Sequence, residues 1–450
     1  MSHGIVWFRA DLRLDDNPAW AAATSAHDEV TALFVVDPPL WDGAGEHRRD
    51  QLAAHLAALD AALRDGGGRL RVERGRPDAV VADVASDVDA ELVHATTDIT
   101  PYAVRRDRTV GEALDGRLVG HPGRYVHAPG TITTTSGDPY RVFTPFSRSW
   151  ASTPWVPWPG EGEAGVASEP GDGLPEAGPP LMVGGEDAAL DRLDEFLDRV
   201  DAYEEERDRP DLDTTSRLSA DLKFGTLSPR MVAVRVGDGT ESRRAFVRQL
   251  CWRDFYAQLM AHFPGTVDAP MRSEYEAMAW RDDPDGLEAW QEGRTGYPIV
   301  DAGMRQLAAE GWMHNRVRMI TASFLVKDLL IDWREGERWF RRLLVDADLP
   351  QNVGNWQWVA GTGADAAPYF RVFNPVTQSK RFDPDGHYIR RWVPELRGLD
   401  GAAIHEPWTA GPLELAAAGI TLGEDYPEPL VDHAEARERT LEAYRAARGD

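Results

Sequence analysis

"TALFVVDPPLWDGAGEHRRDQLAAHLAALDAALRDGGGRLRVERG", residues 31–75, decides the fold of the amino-terminal part of this chain. Two short apolar runs, 31–37 and 69–75, flank residues 47–68, where Leu and Ala recur three and four apart. The stretch reads strand, helix, strand. The same alternation continues on either side with "GIVWF" (4–8) and "AELVHAT" (90–96), and it predicts a parallel, doubly wound sheet over residues 1–135. Ligands on such sheets gather beyond the carboxyl ends of the strands, here "RADLRLDDN" (9–17), "DPPLWDG" (37–43) and "TTDITPYAVRRD" (96–107). Within residues 4–130 neither G-x-G-x-x-G nor G-x-x-x-x-G-K-[ST] occurs, so ordinary dinucleotide or P-loop chemistry has no support there.

Beyond the sheet, residues 151–185 are rich in Pro, Gly and Glu, and 136–185 is expected to be an interdomain linker. From 186 to 450 the pattern turns helical, in segments such as "RRAFVRQLCWRDFYAQLMAHF", "DAGMRQLAAEG" and "MITASFLVKDLLIDW". The second domain is therefore expected to be all-α. The last 20 residues read as a solvated helix and not as a regulatory tail.

With 450 residues and 42% hydrophobic content the chain can bury two cores. No run of about 18 apolar residues and no leader pattern is present, which predicts a cytoplasmic protein. Cys251 is the only cysteine, excluding an internal disulfide or a multi-cysteine metal site, and it is expected to be buried. The formal net charge is -26, from 75 acidic and 49 basic residues, and the only lysines are Lys223, Lys327 and Lys380. So acidic a chain repels phosphate overall, and a salt-rich cytoplasm or the base composition of the genome accounts for the bias. Against it stands a locally basic stretch between Trp312 and Val345, with seven Arg or Lys and four Asp or Glu. It fits a DNA-facing surface, or a solvated face paired to Asp328, Asp332 and Glu335.

Three further segments carry candidate chemistry. "TSRLSADLKFGTLSPR" (215–230) sets hydroxyls around Arg217 just before a helical pattern, suited to an anion or to ordinary capping. The 16 tryptophans exceed what packing requires, and several lie beside charged residues ("WRD", "NWQW"), a mixture suited to stacking on bases as well as to a core. "VDADLPQNVGNWQW" (345–358) offers Asp346, Asp348, Asn352 and Asn355 to a cofactor's heteroatoms, or to Asx turns; the rest of a calcium loop is missing.

"WFRADLRLDDN" (7–17), "TSRLSADLKFGTLSPR", "EAWQEGRTGYPIVDAGMRQL" (288–307), "GWMHNRVRMITASFLVKDLLIDWREGERWF" (311–340) and "APYFRVFNP" (367–375) together resemble the photolyase/cryptochrome family over nearly the whole chain, specifically class I cyclobutane pyrimidine dimer photolyases. The resemblance implies FAD, active in its reduced anionic form, with Tyr203, Thr215, Ser216, Arg217, Leu218 and Ser219 at its phosphates and ribose. It implies Asp346, Asp348, Arg318 and Arg253 around the ring system, and Asn352 opposite flavin N5. A lesion pocket of Trp252, Trp358 and Met319 follows, with Asn315 and Gln249 towards the bases and Arg207, Arg316 and Gln378 towards the DNA backbone. Trp356, Trp333 and Trp280 match the family's electron relay. The implied activity is light-driven repair of pyrimidine dimers by a monomer, with DNA as partner and no membrane.

Two departures bear on this. Bacterial relatives commonly carry glutamate where this chain has Gln249, and an amide cannot supply a proton. Arg105 and Arg106 replace the Asn-Glu of folate-using relatives, so an 8-hydroxy-deazaflavin antenna is expected over methenyltetrahydrofolate, with Asp98 a contact, or no antenna at all. A cryptochrome photoreceptor is the alternative; Trp252, Asn315, Met319 and Asn352 count against it. A (6-4) photolyase is disfavoured because "MHNR" lacks paired histidines.

Overall fold

The structure, a computed structural model, describes residues 1–155, 158 and 160–449; Val156, Pro157 and Pro159 of the expected linker lie outside the described residues. The chain divides into two compact units. One comprises Met1–Glu204, Ser216–Pro264 and Val345–Pro350; the other comprises Glu205–Thr215, Gly265–Leu344 and Gln351–Asp450.

The first unit is built on strands β1 (His3–Phe8), β2 (Glu29–Val36), β3 (Leu70–Arg74), β4 (Leu92–Thr96) and β5 (Leu118–His121), all parallel in the order β3-β2-β1-β4-β5. The doubly wound expectation is met. Register is fixed by burial on both faces: Val6 and Phe8 pack with Trp20, Phe34 and Leu56, while Ile5 and Trp7 pack with Leu33, Val81 and Val93. The helix Glu46–Asp65 covers one face with Leu56, Leu59 and Leu63. Asn17 ends the "RADLRLDDN" loop as a helix cap, its side chain accepting from Ala19 N and Trp20 N at 3.1 and 3.3 Å.

The segment expected to be a linker contains regular structure. A helix, Phe143–Ser152, buries Phe143, Phe146 and Trp150, and a short strand, β6 (Gly165–Val166), adds to β2 in parallel. Asp254 anchors that helix to Glu241–His262, accepting from Trp150 Nε1 at 2.8 Å and from His127 N at 2.9 Å. Burial pushes the Asp254 carboxyl up to about 6 in spite of these donors. Cys251 is buried on the same helix, as expected.

The second unit is helical. Gly303, in Pro298–Glu310, sits where an added Cβ would lie 2.4 Å from Val317 Cγ1, so that helix and Asn315–Ser323 meet at backbone distance. The closing helix, His433–Arg448, is not merely solvated: it buries Ala436, Thr440 and Tyr444, and the Tyr444 hydroxyl donates to Ala360 O at 2.5 Å. Lys327 is buried beside it, its Nζ 3.7 Å from the Tyr444 ring centroid and 3.0 Å from Ala360 O, and burial lowers its pKa to about 7. Among the described residues no helix is long and apolar enough to cross a membrane.

Candidate functional site

The candidate phosphate segment contains one unusual backbone conformation. Arg217 adopts φ +54°, a left-handed conformation uncommon outside glycine, immediately before the short helix Ser219–Phe224. Leu218 N donates to Ser216 Oγ at 3.4 Å. Thr214 and Thr215 each hold a buried hydroxyl oxygen without a hydrogen-bond partner. Such orphaned groups are rare in native interiors, and a polar ligand such as a phosphate or ribose would satisfy them. Tyr203 packs edge-on against Phe196 and Phe246.

Asn352, buried on the helix Leu349–Ala360, donates its amide hydrogens to Glu337 O and Glu337 Oε1, both at 3.0 Å. Both N–H groups are thereby used, and the side chain presents only its carbonyl oxygen. Burial raises the Glu337 pKa, with Arg341 and Asn352 acting against that shift. Sequence reading missed Glu337 because nothing in the helical pattern of 333–343 marks one glutamate among its charges.

Asp348 is buried and accepts from Arg124 Nη2 at 3.0 Å. The same guanidinium pairs with Asp98, whose Oδ1 also caps Ile99 N and Thr100 N at 2.6 and 3.0 Å. Burial opposes ionisation of Asp98, but Arg124 and these donors hold its carboxyl well below the usual range. The expected antenna contact is thus an occupied ion-pair residue at the carboxyl end of β4. Close by on this unit, Arg9 and Arg106 both lie over the Trp7 ring, at 4.6 and 4.9 Å, and Tyr102 donates to Asp37 Oδ2 at 2.6 Å. This is the end of the sheet where strand order reverses between β1 and β4.

Trp252 and Gln249 lie on Glu241–His262. Trp252 is half-buried and stacks face to face on Phe143, centroids 3.5 Å apart and planes 4° apart, so one face of the indole is already covered. Phe143 comes from the expected linker; the spacing Phe143, Phe146, Trp150 was the helical signal that could have revealed it. Gln249 Nε2 donates to Ala245 O at 3.0 Å, within its own helix. Arg253 is buried and holds two backbone carbonyls, Arg124 O and Leu222 O, as a tether between segments.

In the helical unit, Asn315 and Met319 meet one turn apart, with Nδ2 3.9 Å from Sδ. His314 caps their helix, its Nδ1 accepting from Arg316 N at 3.1 Å. Burial lowers the His314 pKa to about 4, which keeps the ring in the neutral form the cap requires. Arg318 Nε donates to Met313 O at 2.7 Å. The basic stretch is largely neutralised in place: Arg316 pairs with Asp208 at 2.8 Å, Arg334 with Asp332 at 2.8 Å, Arg338 with Glu335, and Arg341 with Glu337 at 3.3 Å. Of the three partners expected of a solvated face, Asp332 and Glu335 hold arginines of this stretch, while Asp328 holds His433 instead. Trp356 and Trp333 are buried and Trp280 is half-exposed; Trp356 has two aromatic neighbours, Phe340 at 5.0 Å and Trp290 at 6.2 Å. Trp358, Arg207 and Gln378 are partly exposed. Among the described residues no group of His, Cys, Asp or Glu is arranged to hold a metal ion.

Residues 4–162 match the family described as DNA photolyase, and 246–446 that described as the FAD binding domain of DNA photolyase. The chain is 45% identical over 461 residues to the deoxyribodipyrimidine photo-lyase of Streptomyces griseus, spanning 98% of each. It belongs to the photolyase/cryptochrome family. Three solved structures place it further. A bacterial class III photolyase from Agrobacterium tumefaciens aligns with TM-score 0.93 and 40% identity over 100% of this chain and 98% of that one. A Synechocystis cryptochrome gives 0.90 at 31%, covering 98% and 99%, and an archaeal photolyase from Sulfolobus tokodaii, described with two FAD molecules, gives 0.86 at 34%, covering 99% and 100%. The expectation of class I is corrected by the first of these, which is a class III enzyme.

Proposed function

We propose that this protein is a deoxyribodipyrimidine photo-lyase, of the class III type, that repairs cyclobutane pyrimidine dimers in DNA under blue light. The observation that carries this reading is the 45% identity across 98% of both chains with an enzyme of that name. Reduced FAD, when bound, supplies on illumination the electron that splits the cyclobutane ring and receives it back. The protein's own residues supply the setting. Thr215, Ser216, Arg217, Leu218 and Ser219, with Tyr203, hold the cofactor's phosphates and ribose; the orphaned Thr215 hydroxyl and the left-handed Arg217 support this.

Asn352, its amide locked by Glu337, would offer bound flavin a neutral carbonyl that accepts a hydrogen bond without opposing an anionic ring. Asp346, Asp348, Arg253 and Arg318 complete that surround. Trp252, with Trp358 and Met319, would stack on the extruded dimer, while Asn315 and Gln249 would bond to its bases. Arg207, Arg316 and Gln378 face the DNA backbone. Trp356, Trp333 and Trp280 relay electrons inward, which the burial of the first two and the partial exposure of the third support. An antenna chromophore, by our reading an 8-hydroxy-deazaflavin, would have Asp98 as a contact. Spectra of the protein as purified test that assignment, a flavin-only spectrum refuting it. A photoreceptor without catalysis is the second reading, favoured by the cryptochrome likeness. Dimer repair by the reduced protein in light and in darkness separates the two.

A further inference from the structure

Arg316 is expected to offer a positive charge to DNA, yet it is engaged. Its Nε and Nη2 reach Asp208 Oδ1 and Oδ2 at 3.2 and 2.8 Å, the two-point grip by which a guanidinium also holds a phosphate. The guanidinium lies 4.4 Å from the Phe382 ring centroid, and Arg381 lies 5.0 Å from the same ring. The Arg316 side chain is 16% exposed and that of Asp208 34%, so the carboxylate is the more open of the two to solvent. Asp208 belongs to "ERDRPDLD", 206–213. In that run Asp211 grips Arg209 at 2.6 Å, and Asp213 lies 3.8 Å from Arg391, which also meets Glu310 at 3.6 Å.

We propose that Asp208 is an intramolecular competitor with DNA phosphate for Arg316, and that it thereby lowers the protein's affinity for DNA whatever the sequence. The inference rests on the reading that Arg316 faces the DNA backbone. A phosphate arriving at the paired guanidinium meets a neutral pair with only Nη1 outside it, instead of a cation with a free bidentate edge. It must displace the carboxylate to gain that edge. Either way Arg316 contributes less counterion release than an unpaired arginine, for which one phosphate contact adds about 0.9 to the slope of log affinity against log salt. In a chain so acidic, DNA binding is set by which arginines are released from their carboxylates, and Asp208 controls one of the several paired arginines of the basic stretch, Arg316.

The test uses the full-length FAD-loaded protein and measures binding by fluorescence anisotropy to undamaged and dimer-containing duplexes between about 50 and 200 mM salt. Wild type, Asp208→Asn, Arg316→Gln and the double variant are compared. Asp208→Asn should bind undamaged duplex several-fold tighter, with a salt slope steeper by about one. Arg316→Gln should bind more weakly, and the double variant should match it. If Arg316→Gln weakens binding and Asp208→Asn leaves it equal or weaker, Asp208 is a scaffold for Arg316 and the proposal is overturned. A gain that persists in the Arg316→Gln background would also overturn it, because general repulsion would then be the cause. No effect of Arg316→Gln would remove Arg316 from the DNA and the proposal with it. Wild-type protein without preference for the dimer duplex would instead strike the repair reading. Should Asp208→Asn lose its flavin, Asp208→Ser removes the same carboxylate and must give the same signs.

Discussion

Gly336→Ala puts a methyl group against the ring on which photoreduction is proposed to depend. Gly336 is buried in the helix Trp333–Leu343, and a Cβ there would lie 2.1 Å from Trp356 Cη2, 2.5 Å from Cζ3 and 2.6 Å from Leu325 Cδ2. Ordinary carbon contacts are about 3.5 Å or more, so the ring must yield by roughly 1.4 Å. It has little room, because Phe340 and Trp290 contact it edge-on, each at 73° to its plane. Overpacking of this kind costs about 1–3 kcal/mol, and replacing a helical glycine by alanine returns up to about 1 kcal/mol. With the full return the expected net loss is about 0–2 kcal/mol, read from urea unfolding of the holoprotein. Photoreduction under blue light with an external donor should slow, because Trp356 is displaced. Repair by chemically reduced enzyme should persist, since it does not need the relay. A gain of about 1 kcal/mol with unchanged photoreduction would refute the reasoning, showing that the ring is not held by close approach to the glycine.

Other perturbations give separate readouts. Trp252→Ala should weaken binding of dimer-containing DNA by at least about 1 kcal/mol through lost stacking, and unchanged binding would remove Trp252 from the pocket. Trp356→Phe should abolish photoreduction and spare repair by chemically reduced enzyme; normal photoreduction would place the relay elsewhere. The neutral His314 cap makes stability fall in mild acid. Its folded pKa of about 4 lies below the ordinary 6.5, so its contribution is full above pH 6.5 and is lost as pH falls towards 4, by up to roughly 3 kcal/mol. His314→Asn, which caps without titrating, should lose correspondingly less over that window, and parallel stability curves for the two proteins would contradict the assignment. DNA affinity should also fall linearly on logarithmic axes as salt rises, and a flat response would argue against phosphate contacts.

The sheet was legible wherever strands are buried on both faces. The runs at 4–8, 31–37, 69–75 and 90–96 are near-continuous hydrophobes or alternate cleanly, and each covers most or all of a strand. β5, "LVGH", is an edge strand of four residues without a fully buried member, and β6 has two residues, so neither carries a pattern to read. The helix Phe143–Ser152 was hidden by the Pro- and Gly-rich run that follows it. The closing helix looked solvated because only Ala436, Thr440 and Tyr444 face inward among many charges.

At the site, residue types were legible and their partners were not. Asn352 stands out in "PQNVGNW", but its lock on Glu337 joins positions fifteen apart on separate helices. Arg316 was visible as a basic residue; that it is held by Asp208, 108 positions earlier, is a tertiary fact. Asp98 is a similar case: the resemblance implied it as an antenna contact, and its partners, Arg124 and two backbone amides, were not legible in the sequence.

The central claim is tested most directly by incubating the chemically reduced holoprotein with an oligonucleotide containing one thymine dimer and following thymine absorbance in blue light and in darkness. Restoration of absorbance in light alone is the predicted result. Bound, reduced FAD with no restoration in either condition, in salt that keeps the protein folded, would contradict the repair reading and favour a photoreceptor.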